Sequence, residues 1–386
     1  MRKIKVIFSV LAMSLCLVLQ PVNTKAAETT TEVTPPATTE ETETEPASVI
    51  QPYSLITGEE DITTFPSYDI VVPLSTKSIV VPIQMDYKGR LRINYVGKIV
   101  SKGVNINLFS DEACTTKIGF TSYISSTSLN ADTKYDIPKK ATCYLKFELP
   151  TYADADATIT ITPYSFSSVG KPLKEKVWTS SHPYTGENQT YHKLVISKPG
   201  YIKIEGAFLG GSGSIYATLC NSKKVALSQK EYLYSSNNYT TYYAVKKGTY
   251  YINITSYDDY KLRYTFAAVK DTSAQSQKKA TVIGKGKTVK GLILSEDSLK
   301  KVDWYKVKLT KSQKLVLDVN AKSCDSIRFE IVPASSKVIL FGSSFSLYEV
   351  NGDTYGTKGA LPAGTYYIKV TKTDVKSSGY YSIKLK

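Results

Sequence analysis

A hydrolase needs a base beside its nucleophile or metal, and this 386-residue sequence offers only two histidines, His182 and His192. Neither falls in a His-Glu-x-x-His pattern, which would set two metal ligands on one helical face. The run Gly210-Gly211-Ser212-Gly213-Ser214 lacks the last glycine of a Gly-x-Ser-x-Gly nucleophile elbow. Paired carboxylates can do acid–base work, yet no pair of acids stands out by its spacing. Both histidines are therefore read as loop or edge-strand residues, and the chain as a non-enzyme.

Binding chemistry has more to work with. Residues 166–270 hold 14 of the 30 tyrosines, and Tyr232, Tyr234, Tyr239, Tyr242 and Tyr243 are interleaved there with Asn237, Asn238, Ser and Thr. An aromatic face can stack on the C–H surface of a sugar while amides and hydroxyls bond its OH groups. Tyr232, Tyr234, Asn237, Tyr239, Tyr242 and Tyr243 are thus the candidate glycan-binding residues. The competing reading is that Tyr fills both faces of a strand because it is a good strand former. Calcium takes clustered loop oxygens. Asn351-Gly352-Asp353-Thr354-Tyr355-Gly356, the pair Asp154 and Asp156, and Asp258-Asp259 offer some. None has the full spacing of a calcium loop, and Asn-Gly-Asp is first of all a hairpin turn. No cofactor is expected, with calcium the one candidate kept.

The elements that must position these groups begin after the ends are set aside. Basic Met1-Arg2-Lys3-Ile4-Lys5, an apolar run from Val6 to Leu19 and a small-residue exit at Ala26-Ala27 follow the pattern of a cleaved leader over 1–27. The run is shorter than the ~20 apolar residues a membrane span needs, so no transmembrane segment is expected in the mature chain. Residues 28–49, rich in Thr, Glu and Pro, cannot bury enough to order themselves and read as a disordered stalk. The expected location is extracellular, with association to the cell wall.

Beyond the stalk, apolar residues recur at every second position: Leu91, Ile93, Tyr95; Val104, Ile106, Leu108; Ile202, Ile204; Leu315, Leu317, Val319; Tyr381, Ile383, Leu385. That period marks half-buried strands, and the class is all-β. Val245-Lys-Lys-Gly248-Thr249-Tyr250-Tyr251-Ile252 repeats as Leu361-Pro-Ala-Gly364-Thr365-Tyr366-Tyr367-Ile368, with a degenerate copy at Ile137–Leu145. In each the glycine is expected to supply a positive φ to a tight turn. Three units follow, over 50–165, 166–270 and 271–386, each long enough for a two-layer sandwich.

The third unit resembles the bacterial pre-peptidase C-terminal domain. The likeness runs through Val302-Asp303-Trp304-Tyr305-Lys306-Val307, Leu361-Pro362-Ala363-Gly364-Thr365-Tyr366-Tyr367 and Gly379-Tyr380-Tyr381-Ser382-Ile383. It is fair over the second unit and weak over the first. The resemblance implies jelly-roll-like β-sandwiches in an exported protein, not a reaction.

Four cysteines remain outside the leader, none in a Cys-x-x-Cys spacing. Cys114 ends a strand and turn, and Cys143 begins a strand that could lie antiparallel to it, so these two are the candidate disulfide. Of the formal charge of +15, residues 50–165 carry 11 Lys and Arg against 12 Asp and Glu, 166–270 carry 14 against 6, and 271–386 carry 20 against 10. A Lys-rich exported surface suits anionic wall polymer or polysaccharide. Nucleic acid has no recognition motif here. The leading expectation is a non-catalytic extracellular protein whose modules bind glycan or anionic wall polymer. The alternative is an accessory protein for a separately encoded secreted peptidase or other hydrolase.

Overall fold

The computed structural model describes residues 53–57, 60–96, 103–125, 130–182, 189–209, 214–233, 240–335 and 344–386. The expected leader and stalk fall outside them. Among the described residues the regular structure is all strand, apart from one 3-10 turn at Gln277–Lys279. None of their helices is long and apolar enough to cross a membrane.

Side chains on a strand alternate between faces, so each alternating run commits one face to a core. Ten strands do this first: β1 (Tyr53–Thr57), β2 (Glu60–Thr64), β3 (Tyr68–Val72), β4 (Ser78–Met85), β5 (Gly89–Val96), β6 (Val104–Phe109), β7 (Lys117–Ile124), β8 (Asn130–Ile137), β9 (Ala141–Glu148) and β10 (Ala157–Ser167). They form one sheet in the order β1-β2-β10-β5-β8, with β3 also on β10, and a second in the order β4-β9-β6-β7. Ile83, Leu91, Ile93, Ile106, Leu145 and Phe147 are among the fully buried residues between them.

A second sandwich uses β11 (Thr179–Ser181), β12 (Thr190–Ile196), β13 (Gly200–Phe208), β14 (Tyr216–Cys220), β15 (Glu231–Tyr232), β16 (Thr240–Val245), β17 (Gly248–Thr255) and β18 (Tyr260–Ala268). Its sheets run β11-β18-β13-β16 and β12-β17-β14-β15. The remaining strands are β19 (Thr281–Val282), β20 (Thr288–Ile293), β21 (Asp303–Leu309), β22 (Val316–Pro333), β23 (Ser344–Gly356), β24 (Gly364–Lys372) and β25 (Gly379–Leu385). These make one continuous seven-stranded sheet. It is continuous because β22 pairs with β25 through Leu317–Ser323 and then with β24 through Ile327–Pro333, passing from one layer to the other.

Gly248 and Gly364 open β17 and β24, but neither has the positive φ that the repeat led us to expect; the positive-φ glycines among the described residues are Gly103, Gly119, Gly286 and Gly352. The repeated glycine instead opens the strand, and the tyrosine two positions on reaches back over the turn. The Tyr250 hydroxyl bonds back to the Lys246 carbonyl at 3.2 Å, and the Tyr366 hydroxyl to the Pro362 carbonyl at 2.9 Å. Each ring passes its own glycine, where a Cβ would stand 3.4 Å from the Tyr250 ring and 3.8 Å from the Tyr366 ring. The first copy has Cys143 at the tyrosine position and so lacks this clasp.

The sandwiches lock together through buried polar contacts. Between the first and second, Arg90 on β5, bonded to Asp136 at 2.9 Å, lies 3.8 Å from Asp259, and Arg92 Nη1 donates to the Leu209 carbonyl at 2.8 Å. Between the second and third, the Ser378 hydroxyl accepts from the Ala244 N–H at 2.9 Å and donates to the Ala244 carbonyl at 3.2 Å. Tyr201 stacks on Tyr380 with centroids 4.9 Å apart. Cys324, although on β22, belongs to the core cluster of the second sandwich.

Candidate functional site

Leu194 and Ile196 on β12, with Ile252 and Ile254 on β17, turn one face of the β12-β17-β14-β15 sheet inward. Alternation then sends Tyr191, Lys193, Tyr251 and Asn253 outward. Register brings these into contact: Tyr191 lies opposite Asn253, Lys193 opposite Tyr251, and Tyr216 on β14 opposite Tyr232 on β15. The Tyr191 hydroxyl donates to Gln189 Oε1 at 3.0 Å, and Asn253 Nδ2 reaches the same oxygen at 3.3 Å. Tyr191 and Tyr251 meet edge to face with centroids 6.4 Å apart, and Tyr216 and Tyr232 stack at 4.9 Å.

Lysines border these rings. A turn held by Asn221 Oδ1, which accepts from the N–H groups of Lys223 and Val225, presents Lys224 at φ 62°. The Lys224 ammonium stands 4.8 Å from the Tyr191 centroid and 5.5 Å from that of Tyr251, and Lys230 stands 4.3 Å from Tyr216. The four rings are half-buried. Such a face can stack flat ligand surfaces, bond hydroxyls through Gln189 and Asn253, and attract negative charge through Lys193, Lys224 and Lys230.

Of the candidates read from sequence, only Tyr232 stands here. Tyr234, Asn237 and Tyr239 lie outside the described residues. Tyr243 is fully buried, its hydroxyl donating to the Ala217 carbonyl at 3.2 Å. Tyr242 does point away from that core, but the third sandwich covers it and the Lys322 ammonium lies 5.5 Å from its ring. Neither Tyr242 nor Tyr243 offers a ring face to a ligand. Tyr191, Tyr216, Tyr251, Gln189 and Asn253 were missed, although the inward Leu194, Ile196, Ile252 and Ile254 carried the signal that places Tyr191, Tyr251 and Asn253 outside.

Both histidines are fully buried. His192, on the edge strand β12, has Nδ1 2.9 Å from the Lys171 carbonyl and Nε2 2.9 Å from the Tyr260 hydroxyl. Burial pushes its pKa down to about 4, so the ring is neutral near pH 7. His182 has Nδ1 2.8 Å from Asp259, and its Nε2 faces Asp136 at 3.5 Å rather than a serine. The Ser181 hydroxyl is spent on the Ser167 carbonyl at 2.7 Å. A Ser-His-Asp set of residue types is present at this joint, without the geometry or the access of a nucleophilic triad.

Cys114 and Cys143 are free rather than bridged. Cys143 points into the core between Ile83 and Leu145, and burial raises its thiol pKa to about 11. Cys114, held at φ 54°, feels Lys146 and Glu148, which project from the opposite face of β9. The two sulfurs therefore serve opposite faces of one sheet. The Asn351-Gly352-Asp353 segment is a bulge inside β23 rather than a hairpin turn: Asn351 faces Asn320, Asp353 faces Val319, and Gly352 is the extra residue at φ 82°. Asp156 is occupied by the Leu74 N–H at 2.7 Å, and Asp258 pairs with Lys134 at 3.8 Å. Among the described residues no three His, Cys, Asp or Glu side chains group as metal ligands.

No family model matches the sequence, and no curated protein matches it. Among solved structures the chain is similar to the pre-peptidase C-terminal domain of a collagenase from Bacillus anthracis, with 18% identity and a TM-score of 0.22, over 28% of this chain and 95% of that one. It is also similar to the M60 catalytic domain with the CBM51-1 and CBM51-2 domains of ZmpB from Clostridium perfringens, with 11% identity and a TM-score of 0.20, over 82% of this chain and 34% of that one. A triple jelly roll structure from an archaeal virus is 11% identical with a TM-score of 0.18, over 87% of each chain. The first of these bears the family name that the third unit resembles in sequence. Scores this low say nothing about activity.

Proposed function

We propose that the chain is an exported, non-catalytic protein whose second sandwich binds an anionic glycan or wall polymer. The observation that carries the reading is the outward Tyr191, Tyr251 and Asn253 row with Lys193 and Lys224 against it. The rings supply stacking surface, the amides supply hydroxyl contacts, and the lysines neutralise carboxylate or phosphate along the polymer. The excess of 14 basic over 6 acidic residues in 166–270 extends that attraction beyond the row itself. The test is affinity electrophoresis of the whole protein through gels containing a polyuronate, at low and high salt. Retardation that falls steeply with salt, and drops roughly tenfold in Tyr251→Ala, is the expected result. Retardation that ignores salt, or none at low salt, refutes the reading.

A further inference from the structure

A second cleft lies on the first sandwich, on the outer face of the β4-β9-β6-β7 sheet, and its chemistry differs from that of the tyrosine–lysine face. Three neighbouring strands contribute one side chain each at a single register level: Tyr123 on β7 lies opposite Asn105 on β6, and Asn105 lies opposite Glu148 on β9. The inward residues of the same strands, Val104, Ile106 and Phe147, are fully buried, so alternation fixes this row outward.

The chain leaving β9 closes one side of the row. Leu149 donates its N–H to the Lys77 carbonyl at 2.8 Å, and the Ala153 N–H reaches the Pro150 carbonyl at 3.0 Å, forming a turn that carries Thr151 and Tyr152. Tyr152 comes to Tyr123, and their hydroxyls bond. Both rings stay open to solvent, Tyr123 at 48% and Tyr152 at 57% exposure. Gly103, at φ 127°, lies against the Tyr123 hydroxyl, where a Cβ would collide with it. The cleft is open along its outer side and has a volume of about 530 Å³, within the range of ligand pockets.

We propose that this cleft binds a neutral glycan. Two accessible phenol rings present faces for pyranose C–H groups, and the Asn105 amide can donate and accept. The Glu148 carboxylate accepts from hydroxyls, while its charge is already offset by Lys146 at 2.6 Å and its second oxygen is held by Asn107 Nδ2 at 3.0 Å. No residue lining the cleft is basic, and the two ammonium groups beside it are already bonded, Lys146 to Glu148 at 2.6 Å and Lys77 to the Thr151 carbonyl at 3.4 Å, which favours an uncharged ligand over an anionic polymer. An uncharged sugar chain brings no charge to be paired.

The test uses the whole protein in affinity gels containing neutral glycans, namely glucans of differing linkage, xylan and mannan, with Tyr152→Ala and Asn105→Ala beside the parent. Tyr152 is exposed, so its removal is expected to leave the melting curve unchanged. The expected result is retardation by at least one neutral glycan that persists at high salt and falls roughly tenfold in Tyr152→Ala. Absence of retardation by every neutral glycan overturns the proposal, as does retardation that both variants retain in full. Because the probes are uncharged, either outcome stands apart from the polyuronate test of the second sandwich.

Discussion

His192 with Tyr260 in the second sandwich and Tyr305 with Tyr381 in the third occupy the same place. Ile196 pairs with Gly248 and Leu309 with Gly364; four residues earlier on each strand come His192 opposite Ile252 and Tyr305 opposite Ile368. Each then meets the hydroxyl of a tyrosine on the last strand at 2.9 Å. In the first sandwich the same count, starting where Met85 pairs with Ala141, arrives at Val81. The last strand there begins with Ala157, and both residues are buried. The position accepts an apolar residue, or a polar one whose partner satisfies it.

The two polar versions respond oppositely to protons. His192 is a buried base whose pKa lies below its usual 6.5, at about 4. Between those values the unfolded chain binds the proton that the folded chain refuses, so this group's stabilisation is complete above about pH 6.5 and is lost as pH falls toward 4. In the third sandwich the Tyr381 hydroxyl donates to Asp303 at 2.8 Å. Burial lifts that carboxyl from 3.8 to about 6, with Lys301 pulling the other way. Here the folded chain holds the extra proton, so the contribution is complete below about pH 3.8 and is lost as pH rises through 6.

Removing the base is the strongest way to break the comparison. In His192→Gln, the stability advantage of the parent should shrink by roughly 3 kcal/mol from about pH 7 to about pH 4, as read by urea unfolding; a pH-independent difference would show that the ring is not held neutral. Asp303→Asn should give the reverse slope, gaining on the parent by up to about 3 kcal/mol as pH rises over the same interval. A slope of the same sign as that of His192→Gln would sink the assignment. The smallest effect sharpens the contrast. Tyr381→Phe loses bonds to both the Asp303 carboxyl and Tyr305, so it should cost about 1–3 kcal/mol and lower the melting temperature more than Tyr260→Phe, which loses its bond to the neutral His192. Equal losses would mean that the carboxylate adds nothing.

Much of the fold was legible because burial on one face writes a period of two into the sequence. Leu91, Ile93, Val104, Ile106, Ile202, Ile204, Leu317, Val319, Tyr381 and Ile383 are all buried on strands. The sites were harder to read because Tyr serves core and surface equally well. Tyr242 would face solvent if β16 stood at the outside of the molecule; the third sandwich covers it, and all six residues of Thr240–Val245 are buried. Local sequence holds no sign of that neighbour. The cleft at Tyr123 and Tyr152 was invisible for a related reason, since its walls come from β6, β7, β9 and a loop that only register aligns. The disulfide expectation followed strand adjacency, but adjacency does not say which face a side chain takes.

Two groups that complete the second sandwich are supplied from far downstream: the Cys324 side chain in its core and the Ser378 hydroxyl on the Ala244 backbone. The middle sandwich is therefore complete only when the third is present. A ribosome that stopped at Lys270, or a protease that cut there, would release a piece with the place of one thiol empty and with the Ala244 N–H and carbonyl lacking the Ser378 hydroxyl. The joint between the second and third sandwiches is therefore a step in assembly rather than a place to divide the chain.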